Sequence, residues 1–336
     1  MTPFKTAFGD IFLDRLPSDK RQKLFAWDSA DELILKHLHR ENTLANNKNV
    51  LIINDNFGGL ACTLSKIKNI EITSWGDSLV SHLATKNNLA LNEIEDNIHY
   101  HSDLYLDNER FDLILIKVPK VMALFEWQLQ QLREVTTEKS VIIAAGMVKH
   151  LPKRSQALLE TVIGHTERSL AEKKARLFFS IRENKAPHTA MYPIEKNIEE
   201  LAITLNNHAN VFSKEQLDIG ARFFIRHFDQ LPKANTIIDL GCGNGVLGII
   251  AKQLQPESQI HFVDESYMAI ASAKDNYQRN ISSENNSSGK FYLSHCLTQY
   301  PNKNVDLILC NPPFHQQYSL AEETAITMFK QSRQLL

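Results

Sequence analysis

The stretch from residue 236 to residue 248 reads Thr-Ile-Ile-Asp-Leu-Gly-Cys-Gly-Asn-Gly-Val-Leu-Gly. A short apolar run, Thr236–Leu240, leads into a glycine cluster, and apolar residues from Val246 to Leu254 then recur at helical spacing. Glycines between a strand and a helix allow a tight turn and let a ligand approach the backbone closely. The stretch therefore predicts a strand, a ligand-binding loop and a helix of an α/β sheet.

The rest of the second half continues this alternation. Further strands are predicted at 259–264, 290–293 and 306–310, and a helix is predicted at 268–280 with Ser266 as its N-cap. Strands that alternate with helices at this pace are typical of a parallel, doubly wound sheet of the Rossmann-like kind.

The first half repeats the pattern of the second. Residues 111–120, FDLILIKVPK, align with residues 305–314, VDLILCNPPF. Residues 77–92 align with residues 265–280, and Ser, Lys, Asn and Asn recur at the same offsets. The sequence predicts two tandem α/β domains, over residues 1–185 and 208–336, joined by a linker over 186–207 where prolines lie in polar surroundings.

Composition agrees with two ordinary globular domains. The chain has 336 residues, of which 43% are hydrophobic and 23% are charged. No apolar run approaches the roughly 20 residues that cross a bilayer, and the N-terminus lacks a signal-peptide pattern, so we expect a cytoplasmic protein without membrane contact. The four cysteines form no C-x-x-C pair, so neither a metal site nor a disulfide framework is expected.

Charge is unevenly distributed along the chain. The formal net charge is −2, but residues 117–185 contain 13 Lys/Arg and 7 Asp/Glu. A basic segment in an acidic protein is either a binding surface for phosphate or a solvated helical face, and charge alone does not separate the two. Lys173, Lys174 and Arg176 are the first choices for phosphate contacts.

The glycine loop by itself fits two classes of enzyme. Residues 243–248 satisfy the G-x-G-x-x-G pattern of dinucleotide-binding proteins, and Asp264 follows about 20 residues on. A carboxylate at the end of the second strand binds ribose hydroxyls in that class and in other nucleoside-binding sheets. At this point an NAD-dependent oxidoreductase stays open.

The residues Asn311-Pro312-Pro313-Phe314 decide between the classes. They follow a strand at the edge where doubly wound sheets hold ligands. An exocyclic amine on a base is a poor nucleophile, and two acceptors that take both N–H protons direct its lone pair at a methyl donor. The Asn311 side-chain oxygen and the Pro312 carbonyl are suited to this, and Phe314 offers a face for a base. The pattern predicts an amine methyltransferase. It argues against an oxidoreductase, whose reaction does not use these residues.

The first copy lacks the corresponding residues. Residues 56–59, Asn-Phe-Gly-Gly, stand where the second copy has the glycines of residues 241–245. Gly76 replaces Asp264, and Lys117-Val118 replace Asn311-Pro312. We expect the first copy to be degenerate, to bind no cofactor, and to serve in recognition or as a scaffold.

The segment before the glycine loop, residues 207–220, is expected to lie over the cofactor mouth. Phe212 and Asp218 either line the pocket or belong to a helix entry capped by Ser213, and the sequence favours neither reading.

With these motifs together, the second half resembles the class I methyltransferases that modify exocyclic amines. The whole chain resembles the duplicated bacterial enzymes that methylate guanine N2 in ribosomal RNA. The stretches that carry this resemblance are residues 26–32, 51–60, 117–120, 208–213 and 311–317. Within the family it is most similar to the branch that acts on guanine 1835 of 23S rRNA.

The resemblance implies S-adenosyl-L-methionine as cofactor, ribosomal RNA as partner and no metal. The implied cofactor residues are Asp239, Gly241, Gly243, Gly245 and Asp264. Two further candidates are Asn311 and His295, which lies at the adenine-side position where the family often has Asn or Asp. The implied catalytic residues are Asn311, Pro312, Pro313 and Phe314, with Phe212 and Phe314 also expected at the RNA. Family members continue through further strands, so we expect the chain to be truncated after Leu336.

Three alternatives remain at the level of sequence. The first is the small-subunit branch of the same family, which acts on guanine 1207 of 16S rRNA. The second is a protein-glutamine N5-methyltransferase, whose motif also reads Asn-Pro-Pro-aromatic. The third is a binding module without activity, against which the complete glycine loop beside Asn311 argues.

Overall fold

The computed structural model describes residues 2–17, 24–106, 109–186, 191–211, 217–281, 289–312 and 318–336, and the side chains of the last segment from residue 322. The chain divides into two compact units, Met1–Ala190 and Met191–Leu336. Each unit is built on a sheet whose central strands are parallel and alternate with helices. The predicted fold class, two tandem Rossmann-like α/β domains, is confirmed.

The first unit has five helices and seven strands among its described residues. The helices are α1 (Ser29–Arg40), α2 (Gly59–Leu64), α3 (Leu79–Leu91), α4 (Met122–Val135) and α5 (Ser155–Val162). The strands are β1 (Asn49–Ile53), β2 (Glu71–Trp75), β3 (Ile98–His101), β4 (Leu113–Lys117), β5 (Val141–Met147), β6 (Thr166–Arg168) and β7 (Ala175–Ser180). They form one sheet in the order β3-β2-β1-β4-β5-β7-β6.

The second unit has four helices and six strands among its described residues. The helices are α6 (Ile219–Ile225), α7 (Val246–Leu254), α8 (Tyr267–Asn280) and α9 (Tyr318–Leu335). The strands are β8 (Ile194–Ile198), β9 (Ile203–Asn207), β10 (Thr236–Leu240), β11 (Gln259–Asp264), β12 (Lys290–Leu293) and β13 (Leu307–Cys310). The main sheet has the order β12-β11-β10-β13, and β8 and β9 form a separate antiparallel hairpin.

The two main sheets share one topology. The order β3-β2-β1-β4 in the first unit matches β12-β11-β10-β13 in the second, and the neighbouring strands in both sets are parallel. The central strands β1 and β10 are apolar and buried on both faces, which is the pattern of a parallel sheet covered by helices. The internal repeat read from the sequence therefore holds in three dimensions.

The repeated polar residues of the two aligned helices have matching contacts. Ser78 and Ser266 each cap their helix by accepting a hydrogen bond from a backbone N–H. Asn276 accepts from the Asn206 N–H at 2.5 Å and donates to the Asn206 carbonyl at 3.0 Å. Asn88 does the same with the backbone of Asp14, at 2.8 and 2.9 Å.

A second asparagine, one turn further along each helix, extends this clamp. Asn280 exchanges two hydrogen bonds with the backbone of Thr204, and Asn92 exchanges two with the backbone of Phe12. Residues four apart lie on one face of a helix, so each pair holds an extended segment as a neighbouring strand would. The repeat thus includes the segment that precedes each sheet.

This clamp corrects the predicted linker. Residues 186–207 were expected to connect the domains, but residues 194–207 form the hairpin β8–β9, which the asparagines of α8 hold in the second unit. The prediction was wrong over residues 194–207 because most of the polar side chains there belong to strands whose backbone is paired, which composition does not reveal.

We expect Asn276→Ala to destabilise the second unit by about 2–3 kcal/mol, because backbone groups of Asn206 and Asn244 lose the partner that the fully buried Asn276 side chain provides. Denaturant unfolding of the whole chain measures it. Lys274→Ala, on the exposed face of the same helix, is the control and should leave the unfolding midpoint unchanged. Equal stability of both variants would contradict the clamp.

None of the described helices combines the length and the hydropathy of a membrane span.

Candidate active site

The ends of three adjacent strands bring the predicted site residues of the second unit together. β10 lies between β11 and β13, and Leu240 is paired with Val263 on one side and with Cys310 on the other. Asp264 ends β11, Gly241 follows β10 and Asn311 follows β13. Parallel strands lie about 4.8 Å apart, so these residues form a row roughly 10 Å long at the carboxyl edge of the sheet.

The glycine loop has the backbone that its composition predicts. Gly241, Gly243 and Gly245 have φ angles of 70°, 53° and 81°, in the left-handed region that favours glycine. Gly245 is the N-cap of α7. A Cβ built on Gly243 has no heavy atom within 4 Å, so the loop presents bare backbone to open space. The loop can therefore admit a ligand in direct contact with its backbone.

Asp264 is fastened to that loop. One carboxylate oxygen accepts from the Gly243 N–H at 3.0 Å, and the other accepts from the Ser266 N–H at 3.0 Å. Burial raises the pKa of Asp264, against the effect of these backbone donors. A carboxylate has about four acceptor positions, so Asp264 can still accept from the hydroxyls of a ribose.

Asp239 is buried beneath the loop and is not exposed to a ligand. Its side chain is 1% exposed and accepts from the Gly248 N–H at 2.8 Å, which ties α7 to β10 beneath the loop. Burial raises the pKa of Asp239 to about 8. Any contribution of Asp239 to binding therefore acts through the position of the loop.

Asn311 is held by a residue from another element. Its side-chain Nδ2 donates to Asp218 Oδ2 at 3.1 Å, and the same oxygen accepts from the Ala221 N–H at 3.0 Å as the N-cap of α6. From the sequence, Asp218 was expected either to line the pocket or to belong to a helix entry. In the structure Asp218 caps a helix and also contacts Asn311. Pro312 is buried directly behind Asn311.

Three predicted residues, Pro313, Phe314 and Phe212, lie outside the described residues, as does the proposed cap Ser213. His295, predicted on the adenine side, lies two residues after the end of β12 and is half-buried. Its backbone N–H donates to Gln299 Oε1 at 2.8 Å, and burial lowers the pKa of its imidazole. His295 therefore lies at the same edge of the sheet as Asp264.

Sequence reasoning missed Gly220. A Cβ on this residue would lie 2.9 Å from Asn311 Oδ1 and 2.9 Å from Asp218 Oδ2. The only signal in the sequence was a glycine two positions after a helix-capping aspartate, which by itself has no functional meaning.

The predicted phosphate contacts lie in the first unit. Lys173 and Lys174 are exposed, with φ angles of 46° and 64°, and they form the tip of a two-residue hairpin between Glu172 and Ala175. Lys173 pairs with Glu32 at 2.7 Å. Arg176 is half-buried in β7, so it is less available than the two lysines.

The first unit carries other chemistry at the edge that matches the glycine loop. Lys117, the counterpart of Asn311, lies 2.9 Å from Asp28 Oδ1 and 2.7 Å from Asp31 Oδ1. Asn54, the counterpart of Gly241, exchanges two hydrogen bonds with the buried Gln128, each 2.9 Å long. Side chains that are bound to other side chains of the first unit therefore occupy the strand ends that correspond to Gly241 and Asn311.

One group of possible metal ligands occurs among the described residues. His99, His101 and Glu109 bring ligand atoms within 4.8 Å of one another at the edge strand β3 of the first unit. His99 is exposed, and all three residues of the cluster belong to the first unit.

Comparison with known proteins covers both units. Residues 1–184 match the family model described as the RLMG N-terminal domain, and residues 202–336 match the methyltransferase small domain. A protein of Ectopseudomonas mendocina named ribosomal RNA large subunit methyltransferase G is 40% identical, over 100% of this chain and 88% of its own length. A protein of the same name from Colwellia psychrerythraea is 39% identical, with the same shares covered.

Among solved structures, the T. thermophilus 16S rRNA N2 G1207 methyltransferase, in complex with AdoMet and guanosine, is similar with a TM-score of 0.69. It is 14% identical, and the match covers 96% of this chain and 85% of that one. This likeness supports the duplicated fold.

Proposed function

Since the chain belongs to the family of ribosomal RNA large subunit methyltransferase G, with which it is about 40% identical over its full length, we propose that it methylates N2 of a guanine in 23S rRNA. The observation that carries the proposal is the position of Asn311-Pro312 at the end of β13, one strand away from the glycine loop. Because this substrate is part of the ribosome, the proposal also implies a cytoplasmic protein.

The loop and strand ends fit S-adenosyl-L-methionine, which supplies an electrophilic methyl group on a sulfonium sulfur when it is bound. Gly243 offers backbone without steric obstruction, and Asp264 offers a carboxylate for the ribose hydroxyls. His295 lies at the next strand end, on the side of Asp264 that we assign to the adenine. The backbone of the loop does not titrate, and at Gly243 it is open to a ligand.

Asn311 and Pro312 would act on the guanine amine. The Asn311 Oδ1 and the Pro312 carbonyl each accept one N–H of that amine, so its lone pair is directed away from the base and at the methyl carbon. With the cofactor bound, its methyl group would pass to this nitrogen, forming the N–C bond as the S–C bond breaks, and the nitrogen would then release one proton to water. Each acceptor contributes about 1–3 kcal/mol in a dry site. Phe314 is proposed to stack on the base, with Phe212 beside it.

We propose that the first unit binds RNA and no cofactor. Asn54, Gln128 and Lys117 take up the strand ends that correspond to the glycine loop and to Asn311. Such a unit keeps the shape of a methyltransferase domain but offers another kind of surface.

That surface is a basic edge, defined here as Lys120, Lys149, Lys153, Arg154, Lys173 and Lys174. All six are exposed, and all lie in loops beyond the carboxyl ends of β4 and β5 or in the hairpin turn beside them. The Val148 N–H donates to the Lys174 carbonyl at 2.8 Å, which joins the two loops. Residues 148–154 contain no Asp or Glu, so the loop favours phosphate.

We expect RNA affinity to depend on this edge. Replacing three basic-edge lysines by Gln should weaken binding of a 23S rRNA fragment at least about 10-fold at low salt, and should reduce the slope of log K against log salt by about 2. The three residues are Lys149, Lys153 and Lys174. Filter binding over a series of salt concentrations measures both quantities.

A matched control removes the same charge elsewhere in the first unit. Three exposed lysines precede strands at the opposite edge of the sheet: Lys48, Lys68 and Lys139. Their triple Gln variant should bind RNA nearly as the unmodified chain does. Equal losses in both triple variants would refute a specific role of the basic edge.

The activity itself is tested by incubating the full chain with tritiated S-adenosyl-L-methionine and one of three substrates: deproteinised 23S rRNA, deproteinised 16S rRNA or a ribosomal protein extract. We expect label in 23S rRNA that is recovered as N2-methylguanosine after digestion. Label confined to 16S rRNA would assign the small-subunit reaction, and label confined to protein would assign amide methylation. Either result would overturn the proposal.

A further inference from the structure

We propose that Asp218 is a positioning residue that fixes the amide of Asn311 in the one orientation that can accept the substrate amine. The inference rests on the proposed function and adds to it a residue from a separate helix. Asp218 itself need not touch the substrate.

The chemistry of the two side chains determines the orientation. An ionised carboxylate only accepts hydrogen bonds, whereas an amide has one accepting and one donating end. With Asp218 Oδ2 at 3.1 Å, the amide nitrogen of Asn311 must face the carboxylate, since the reverse orientation would bring two oxygens together. The Asn311 Oδ1 is thereby left pointing away from Asp218 as an acceptor.

The carboxylate is itself held in place. Asp218 Oδ2 also accepts from the Ala221 N–H at 3.0 Å, so the cap of α6 restrains the oxygen that restrains Asn311. Gly220 makes room for this arrangement, because a Cβ there would lie 2.9 Å from both Asn311 Oδ1 and Asp218 Oδ2. These three residues can therefore lie this close together only when residue 220 is glycine.

The first unit shows the same relation with different residues. Asp28 is the N-cap of α1, and it pairs at 2.9 Å with Lys117, which ends the strand equivalent to β13. A helix-capping aspartate beside the end of this strand is thus a feature of both copies. In the second unit it faces an amide that can act on a substrate, and in the first it faces an ammonium group.

The negative charge also favours the reaction. A hydrogen bond to a carboxylate is stronger than one between neutral groups, and it polarises the amide so that the opposite oxygen accepts more strongly. The amine nitrogen that Asn311 contacts gains positive charge as the N–C bond forms. The carboxylate therefore stabilises the transition state more than the bound substrate.

Two substitutions separate positioning from helix capping. Asp218→Ser keeps a good helix cap but is too short to reach Asn311, so we expect kcat to fall about 10- to 100-fold with little change in cofactor affinity. Asp218→Asn keeps an oxygen for both donors, so we expect it to recover most of the lost kcat. Single-turnover methylation of 23S rRNA and calorimetric titration with S-adenosyl-L-methionine measure these quantities.

Gly220→Ala provides a second variant that keeps both Asp218 and Asn311. Its added Cβ would lie 2.9 Å from Asn311 Oδ1 and 2.9 Å from Asp218 Oδ2, so we expect it to displace the amide of Asn311 and to lower kcat, with denaturant unfolding as the measure of any effect on the cap of α6. This variant keeps the test decisive if Asp218→Ser folds poorly.

The double variant Asp218→Ser with Asn311→Ala completes the design. If Asp218 acts through Asn311, Asp218→Ser has no further effect on kcat once Asn311 has been replaced by Ala. Two results would overturn the inference. In one, Asp218→Ser lowers kcat by the same factor in the wild type and in Asn311→Ala; in the other, Asp218→Ser is fully active. A wild-type chain that labels no RNA would instead refute the proposed function.

Discussion

Replacing Asn311 by Ala is expected to lower kcat for guanine methylation by about 100-fold or more, since an oriented hydrogen-bond partner at a reacting group contributes on that scale. Asn311 supplies one of two acceptors for the amine and lies at the strand end beside the glycine loop. Asn311 is also one of the expected cofactor residues, but the loop does not depend on its side chain, so affinity for S-adenosyl-L-methionine should fall much less than kcat. Rapid-quench methylation and calorimetric titration give the two values.

Asn235→Ala is the matched control. Asn235 is exposed and precedes β10 at the opposite edge of the same sheet, where its backbone N–H donates to Asp306. This variant should methylate RNA at the wild-type rate. Retention of normal turnover by Asn311→Ala would contradict the mechanism while leaving the family assignment intact.

The second large effect concerns stability and lies in the first unit. Lys117→Met should destabilise this unit by about 3–5 kcal/mol, because it leaves buried carboxylates without their counter-ion. Asp31 is 4% exposed and lies 2.7 Å from the Lys117 ammonium. Burial by itself would lower the pKa of Lys117, but Asp31 and Asp28 more than offset it and hold that pKa above its usual value. Denaturant unfolding at pH 7 measures the loss.

The loss should depend on pH with a definite sign. Burial raises the pKa of Asp31, and the positive charge of Lys117 acts in the opposite direction. Lys117→Met removes that charge, so the pKa of Asp31 should rise further in the variant. Asp55 adds to the effect, since burial and the charge of Asp31 raise its pKa to about 6. A group whose pKa is raised in the folded state binds protons more readily there, so the variant should regain stability as the pH falls from 7 toward the pKa of an unfolded aspartate, about 3.9.

Lys36→Met is the control for charge removal. Lys36 pairs with Glu172 at 2.6 Å, but both side chains are about half exposed, and such pairs contribute little to stability. Its unfolding midpoint should barely change and should show no recovery at low pH. An equally mild effect of Lys117→Met would mean that water reaches the carboxylates around it.

Much of the fold was predictable because it depends on local patterns. The strands at 236–240, 259–264 and 290–293 have the bounds that the sequence predicts. Ser266 caps its helix as expected. The aligned asparagines of the two halves revealed the duplication, although their purpose as clamps on neighbouring backbone was not visible in the sequence.

The sequence by itself determined the α/β class, the duplication, the glycine loop and the presence of Asn311 after a strand, because each depends on residues that are adjacent along the chain. Tertiary structure alone decided that residues 194–207 form a hairpin of the second unit and that Asp218 contacts Asn311, 93 positions away. The reason is that a polar side chain has many possible partners. Only the packed backbone selects one of them, by bringing its donor within 3.1 Å of an acceptor.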